Sequence, residues 1–281
     1  MLAYYKGKFL PENECHVSIN DRSFRFGDGI FDTCLVIAGQ IYNFTRHKER
    51  LENGLRTYKI KLDTTDLENL CRELIKKNSL QDGYVRIVVS RGENGSGAIG
   101  YLPKDTIPYL MIQTSEKPYP AFKALSLFLS SHIAATKPPS KTNNSLLYTL
   151  AMMEAREQDC DNALLLNKNG HICETASGNI FWVKDGVLYT PSLDLELVAG
   201  TMREKALELW EGKKIEGHFT LQDLQTADEV FMSNIASIIA PITAINPIGS
   251  KWPVGKNTTV LRQKLDNDII CATSQKPLEN S

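Results

Sequence analysis

No apolar run in this chain approaches the ~20 residues that a membrane span needs. Its opening, MLAYYKGKFLPENECHV, lacks the apolar core of a signal peptide. Neither sign of charge is in excess. The 32 Lys and Arg against 33 Asp and Glu leave a formal net charge of −1, which offers nucleic acid or an anionic membrane no electrostatic footprint. The six cysteines (Cys15, Cys34, Cys71, Cys160, Cys173, Cys271) form no CxxC and share no repeating spacing, so they read as reduced thiols, several of them buried. The five histidines are too scattered for a local metal-ligand motif, and no metal is expected. Repeats and low-complexity tracts are also missing. These absences point to a cytoplasmic protein that works on small molecules without a metal.

What is present is ordinary in bulk, with 42% hydrophobic and 23% charged residues over a length sufficient for two packed lobes. The first third alternates strands and helices. Residues 2–10, 34–43, 86–90 and 109–113 read as strands, and 46–58 reads as a helix with Leu51 and Leu55 on one face. Thr65-Asp66-Leu67-Glu68 reads as a capping box opening a second helix. A loop through Gly92, Gly95, Gly97 and Gly100 follows the strand that ends at Ser90. The two prolines of residues 115–122 mark a linker, dividing the chain into 1–117 and 118–281. Beyond it come a strand at 125–130, a Pro-rich loop, a helix over 145–158, and strands at 163–166, 179–183 and 187–190. A helix over 202–210, a short one capped by Thr220 and Asp223, a strand at 229–233, an apolar loop over 235–245 and a polar tail from Ser274 complete the reading.

The chemistry lies in KTNNSLLYTLAMMEAREQDCDNALLLNKNGHICETASGNIF, from Lys141 to Phe181. An amine on a loop edge and a carboxylate on a strand suit an aldehyde cofactor. The amine forms a Schiff base, and the carboxylate keeps the far ring nitrogen protonated. Alone, Lys141 and Glu174 read as solvated surface charges, as most lysines and glutamates are. Gly200-Thr201-Met202-Arg203 opens a helix, whose free N–H groups make either a phosphate seat or a simple helix start. Arg50, one turn after Arg46, is either a phosphate clamp or an exposed helix charge. DRSFRFGDGIF (Asp21 to Phe31) mixes aromatics, charges and glycines as a pocket-lining turn does. The small and polar residues of Ser233-Asn234-Ile235-Ala236-Ser237 suit either an anion nest or an ordinary connection.

Taken together and in order, seven segments resemble the class-IV (fold type IV) pyridoxal-phosphate enzymes, which include branched-chain and D-amino-acid aminotransferases and aminodeoxychorismate lyase. They are DRSFRFGDGIFDT, the His47-x-x-Arg50-Leu51 helix, VRIVVSRG, KTNN, Glu174 to Phe181, TPSLDLELVAGTMR and ADEVFMSN. The resemblance implies a mixed α/β (α+β) fold, with a small N-terminal α/β lobe, a larger C-terminal pseudo-barrel and the cofactor in the cleft between them. It implies a homodimer that shares loops at its active sites. It also implies that Lys141 carries pyridoxal 5'-phosphate as a Schiff base and moves the substrate Cα proton, while Glu174 pairs with the ring nitrogen. Arg50 and the backbone at Thr201-Met202 and Ile235-Ala236 would hold the phosphate, with Asn179 near the cofactor.

Within the family, Lys141-Thr142-x-Asn144, Phe181-Trp182, Gly200-x-Met202-Arg203 and Ser233-Asn234 follow the lyase style. Leu146 and Met202 stand where branched-chain aminotransferases usually have tyrosine and threonine. The lyase's usual Arg-Gly-Tyr is here Ile99-Gly100-Tyr101, and the D-amino-acid enzyme's Arg-x-His is also missing. Phe31 and Tyr101 are candidate substrate contacts, and Arg25, Arg86 and Arg91 are candidate carboxylate binders. Strand alternation should point Arg86 and Arg91 oppositely. The lyase reading, which yields 4-aminobenzoate and pyruvate, leads narrowly over an amino-acid aminotransferase using 2-oxoglutarate. A non-catalytic ligand-binding homologue would lack Lys141 or Glu174, and both are present.

Overall fold

A strand with no exposed residue organises the first half of the molecule. In the computed structural model, which describes residues 1–95, 100–134 and 140–274, this is β3 (Gly29–Ile37). Ile30, Cys34 and Val36 are buried in its core. It is the fifth strand of a six-stranded antiparallel sheet ordered β2-β1-β6-β5-β3-β4. Its companions are β1 (Leu2–Tyr5), β2 (Lys8–Pro11), β4 (Gln40–Ile41), β5 (Gly83–Ser90) and β6 (Tyr109–Glu116). The helices α2 (Phe44–Thr57) and α3 (Leu67–Lys77) bury Leu51, Leu55, Leu67 and Leu74 in one cluster with Ile30, Val85, Ile87 and Ile112 of the sheet. The expected helix periodicities are met there, but the capping box is not. Thr65 turns its hydroxyl onto Asp63 at 2.6 Å, and Asp66 caps α3 without a side-chain hydrogen bond.

The DRSFRF segment contains a helix that the sequence pattern did not announce, α1 (Arg22–Phe26). Asp21 Oδ1 accepts from the backbone N–H groups of Ser23 and Phe24, and Gly27, at φ +66°, ends the helix in the left-handed region.

The second half is built on a nine-stranded sheet, ordered β12-β11-β10-β13-β14-β7-β8-β9 with β15 paired to β14. These strands are β7 (Leu125–Ile133), β8 (Asn162–Leu166), β9 (Ile172–Thr175), β10 (Asn179–Lys184), β11 (Val187–Pro191), β12 (Lys214–Gly217), β13 (Glu229–Asn234), β14 (Ile238–Asn246) and β15 (Ser250–Lys251). The end strand β9 is joined to β10, third from the other end, by a three-residue turn closed by a Thr175–Gly178 bridge, so the sheet curls on itself. Trp182, Leu127, Ile180, Met232 and Ile242 fill its core. Residues 238–245, read from sequence as an apolar loop, are β14. Their run of apolar residues is buried between β13 and β7, where strands need no alternation.

Four helices complete this half: α4 (Leu146–Glu157), α5 (Thr201–Leu209), α6 (Leu221–Gln225) and α7 (Lys256–Ser274). At α6 the expected cap is present, Asp223 Oδ2 accepting the Thr220 N–H at 2.8 Å. The long α7 has no counterpart in the sequence reading. Its N-terminal donors, the N–H groups of Asn257 and Thr258, are taken by Glu229, 28 and 29 residues upstream. By backbone contacts the chain forms two compact units. One comprises residues 1–119, 141–145 and 269–281; the other comprises 120–140 and 146–268. Lys141, which a division after residue 117 groups with Glu174, therefore packs with the first unit. The Pro-rich loop at 135–139 and the tail from 275 lie outside the described residues.

Candidate active site

Within the first unit, the segment carrying Lys141 is laid along the start of β3. The Lys141 carbonyl accepts the Phe31 N–H at 2.8 Å, Thr142 bridges Ile30, and the Asn143 N–H donates to the Gly29 carbonyl at 3.0 Å. Asn143 Nδ2 donates to Ser23 Oγ at 2.6 Å. This close approach explains the glycine: a Cβ on Gly29 would lie 2.2 Å from the Val89 carbonyl oxygen and 2.4 Å from Asn143 Nδ2. Pinned so, Lys141 places its Nζ 4.4 Å from the centroid of the Phe31 ring. Arg86, from β5, sets its Cζ 4.3 Å from the same centroid. Amine and guanidinium thus share one aromatic ring, a favourable place for cations. Partial desolvation shifts the Arg86 pKa down, and the group stays charged at neutral pH.

The other two candidate arginines are placed differently. Arg91 Nε donates to both oxygens of Asp28 at 2.8 Å, and its remaining nitrogens donate to the Lys59 and Tyr58 carbonyls. Arg25 is exposed, its Cζ 5.5 Å from the Phe26 ring. Tyr101 is 85% exposed and leans on Phe26 at 5.4 Å. Neither it, Arg25 nor Arg91 joins the Phe31 ring beside Lys141. The loop position Ile99 lies outside the described residues.

One residue along β3 the chain faces the other way, and Asp32 is fully buried against α2. Arg50 grips it with Nε at 2.8 Å and Nη2 at 2.7 Å, and His47 Nδ1 donates to Oδ1 at 2.8 Å. Burial pushes the Asp32 carboxyl up, but the Arg50 guanidinium and then His47 outweigh it and hold it well below the usual carboxylate range. Arg50 is therefore an oriented cation rather than a loose helix charge. Asp32, Cys34 and His47 bring their donor atoms within 4.8 Å, as metal ligands do. The Arg50 fork on both Asp32 oxygens, and burial that raises the Cys34 thiol pKa far above its normal value, do not suit a cation there.

The second unit carries the carboxylate. Glu174, on β9, is 3% exposed. Its Oε1 accepts the Tyr148 hydroxyl of α4 at 2.7 Å, and its Oε2 accepts the Val198 N–H at 3.0 Å. The carbonyl of the same Val198 accepts Asn179 Nδ2 at 2.8 Å. Two residues on, Gly200 is the N-cap of α5 with no side-chain cap, and Thr201 and Met202 form its first turn, both buried. Such a start leaves N–H groups and the positive end of the helix dipole for an anion.

The Ile235-Ala236 turn follows β13, held by Asn234 Oδ1 accepting the Ser237 N–H at 2.7 Å. It leads into Ile238 at φ +58°, where a β-branched residue is strained. Ser233 stands directly across the ladder from Asn179, so both side chains share a face. The buried Ser233 Oγ has no hydrogen-bond partner among the described residues. A carboxylate that can accept from a ring nitrogen, a helix start without a side-chain cap and a buried hydroxyl with no partner among the described residues suit a phosphorylated pyridine. Tyr148 was missed in the sequence. Its only sign there is its place among the small Ala151 and Ala155 on the inner face of α4.

The family model for amino-transferase class IV matches residues 29–245. The chain is 34% identical over 273 residues to the aminodeoxychorismate lyase of Vibrio harveyi, covering 92% of this chain and 97% of that one. It is 28% identical over 286 residues to the D-alanine aminotransferase of Bacillus licheniformis, covering 98% and 99%. The crystal structure of the 4-amino-4-deoxychorismate lyase from Pseudomonas aeruginosa superposes with a TM-score of 0.85 at 32% identity, covering 95% of this chain and 99% of that one. The type IV fold expected from sequence is the fold observed. With a match running from β3 through β14, this chain is an enzyme of the class IV amino-transferase family.

Proposed function

We propose that this enzyme uses pyridoxal 5'-phosphate to act at the Cα of an amino-acid-like substrate, and that its substrate is aminodeoxychorismate. The observation that carries the reading is Glu174, a buried carboxylate whose supporting peptide runs directly into an uncapped helix start. The cofactor, when bound, supplies an aldehyde carbon and a ring able to take up the electrons released at Cα. The chain supplies the rest. Lys141 Nζ, steadied on Phe31, would hold the cofactor at its aldehyde carbon and would serve as the base for the substrate Cα proton. Glu174 keeps a proton on the ring nitrogen. Thr201 and Met202 N–H groups, those of Ile235 and Ala236, and Arg50 hold the phosphate. Asn179 fixes the peptide between the carboxylate and the phosphate seat. Arg86, beside Lys141 on Phe31, receives the substrate carboxylate.

The lyase reading is supported by Leu146 and Met202, and by the 34% identity to a lyase. A second reading, an amino-acid aminotransferase, draws support from Ile99-Gly100-Tyr101, which carries no arginine. One pair of assays separates them. Pyruvate and 4-aminobenzoate from aminodeoxychorismate support the lyase; keto acid from leucine, valine or D-alanine with 2-oxoglutarate supports the aminotransferase. Purified protein that takes up no pyridoxal phosphate, or a Lys141→Ala variant that keeps its borohydride-reducible adduct, would sink the cofactor reading itself. The proposal includes a homodimer, in keeping with Leu146, Leu150 and Met153, exposed at helical spacing along α4. Light scattering that returns a single-chain mass at micromolar concentration would remove that part.

A further inference from the structure

Glu174 is held from one side by a tyrosine outside the motifs that identify the family. Tyr148 reaches from α4, one helical turn before Ala151 and two before Ala155. These alanines are fully buried, and the tyrosine packs against the apolar cluster they form with Ala163 and Cys173. Its hydroxyl donates to Glu174 Oε1 at 2.7 Å, while the Val198 N–H donates to Oε2 at 3.0 Å. The two donors approach different oxygens, so together they fix the plane of the carboxylate as well as its position.

A hydroxyl that donates to a carboxylate favours the ionised form, because the bond to the charged oxygen is stronger than the bond to the neutral acid. Burial and the Glu174 charge raise the Tyr148 pKa, so the phenol is a permanent donor across the working pH range. In a dry setting a carboxylate and a pyridinium can collapse to a neutral acid and a neutral pyridine, since charge separation is costly there. A donor on a carboxylate oxygen opposes that collapse.

We propose that Tyr148 is a positioning residue that holds Glu174 ionised and in one rotamer, and thereby keeps the proton on the ring nitrogen of the cofactor. The inference rests on the reading that Glu174 faces that nitrogen. A purely structural Tyr148 would matter for packing alone, and its loss would leave the protonation of the ring unchanged.

The test uses the full-length protein loaded with pyridoxal phosphate carrying 15N in its ring, and compares native enzyme with Tyr148→Phe, which keeps the ring and removes only the hydroxyl. The ring-nitrogen NMR signal reads protonation directly. The variant should shift the ionic-to-neutral ratio about tenfold toward neutral pyridine, the factor expected for one charge-assisted hydrogen bond. Its kcat should fall by about the same factor, with KM changed less than about twofold. Reduced cofactor content with an unchanged ring signal, or no change in either, overturns the role of Tyr148 while the cofactor reading stands. A native enzyme that binds no pyridoxal phosphate overturns both.

Discussion

Asp32→Asn tests the physical account of the first unit most severely. The native carboxylate is fully buried and accepts from Arg50 twice, from His47, and from the Thr33 N–H at 2.7 Å. The amide is the same size, so no cavity forms. What changes is that one acceptor becomes a donor facing a guanidinium, and a buried cation loses its counter-charge. Breaking a buried pair in this way costs about 3–5 kcal/mol, and the acceptor that Asn keeps argues for the lower end. The three tryptophans, Trp182, Trp210 and Trp252, all lie in the second unit, so tryptophan fluorescence would miss the effect. Amide hydrogen exchange of a peptide covering β3 is the suitable assay. A loss of about 3 kcal/mol appears there as roughly a hundredfold faster exchange through the opening reaction.

The pH dependence supplies a second check. The folded pKa of Asp32 is depressed, so its stabilisation is complete above the ordinary carboxylate range and is lost as pH falls toward the depressed folded value. The gap between native and variant should therefore stay constant from about pH 8 to pH 5 and close only in strong acid. A difference under about 1 kcal/mol, or one already shrinking at pH 5, would show that Arg50 and Asp32 do not form the buried charge pair described.

Other expectations follow from single contacts. Arg86→Ala should raise the KM of the amino substrate at least tenfold, by loss of a charge-assisted carboxylate contact, with cofactor uptake unchanged. Equal losses with neutral amine analogues would remove Arg86 from that role. Gly200→Ala has a permitted backbone, yet its Cβ would lie 2.2 Å from Asn179 Oδ1. Loss of the Asn179–Val198 bond and about 1–3 kcal/mol of stability should result, read by thermal melting of cofactor-free protein, and an unshifted melt contradicts the clamp. Glu229→Gln places an amide against the N-terminal donors of α7, so far-UV circular dichroism should show earlier melting of helix by about 1–2 kcal/mol. Burial raises the Glu229 pKa, but the hydrogen bonds from Thr258 and Asn257 lower it further. The native advantage should thus hold above the ordinary glutamate range and vanish in acid, and a difference that grows in acid would refute the cap.

What could be read from the sequence was whatever local pattern encodes. Residues 46–58 gave a helix because Leu51 and Leu55 share a face, and the helix found spans Phe44–Thr57. Lys141, Glu174, Asn179 and Thr201 stood out through their order along the chain. Features whose partners are distant did not. The helix α7 takes its cap from Glu229, across a gap no local pattern spans. The strand β14 opens with a buried apolar run, Ile238 to Ile242, paired on both edges, and such a run looks the same in sequence as an apolar loop. Thr65 found Asp63 nearer than the helix it was expected to cap. Arg86 and Arg91, five residues apart, could be assigned opposite faces by alternation. Which one met Lys141 was decided by Asp28, which claims Arg91.

The Val198 peptide has its N–H on Glu174 and its C=O held by Asn179, and lies three residues before the start of α5. The two peptide groups that meet at the Val198 Cα thus link the group that would set ring protonation to the segment that would seat the phosphate. Substitutions at Glu174 and Asn179 should be strongly non-additive, with the second costing far less once the first is present. The neighbourhood of Val198 would then change slowly or in concerted steps.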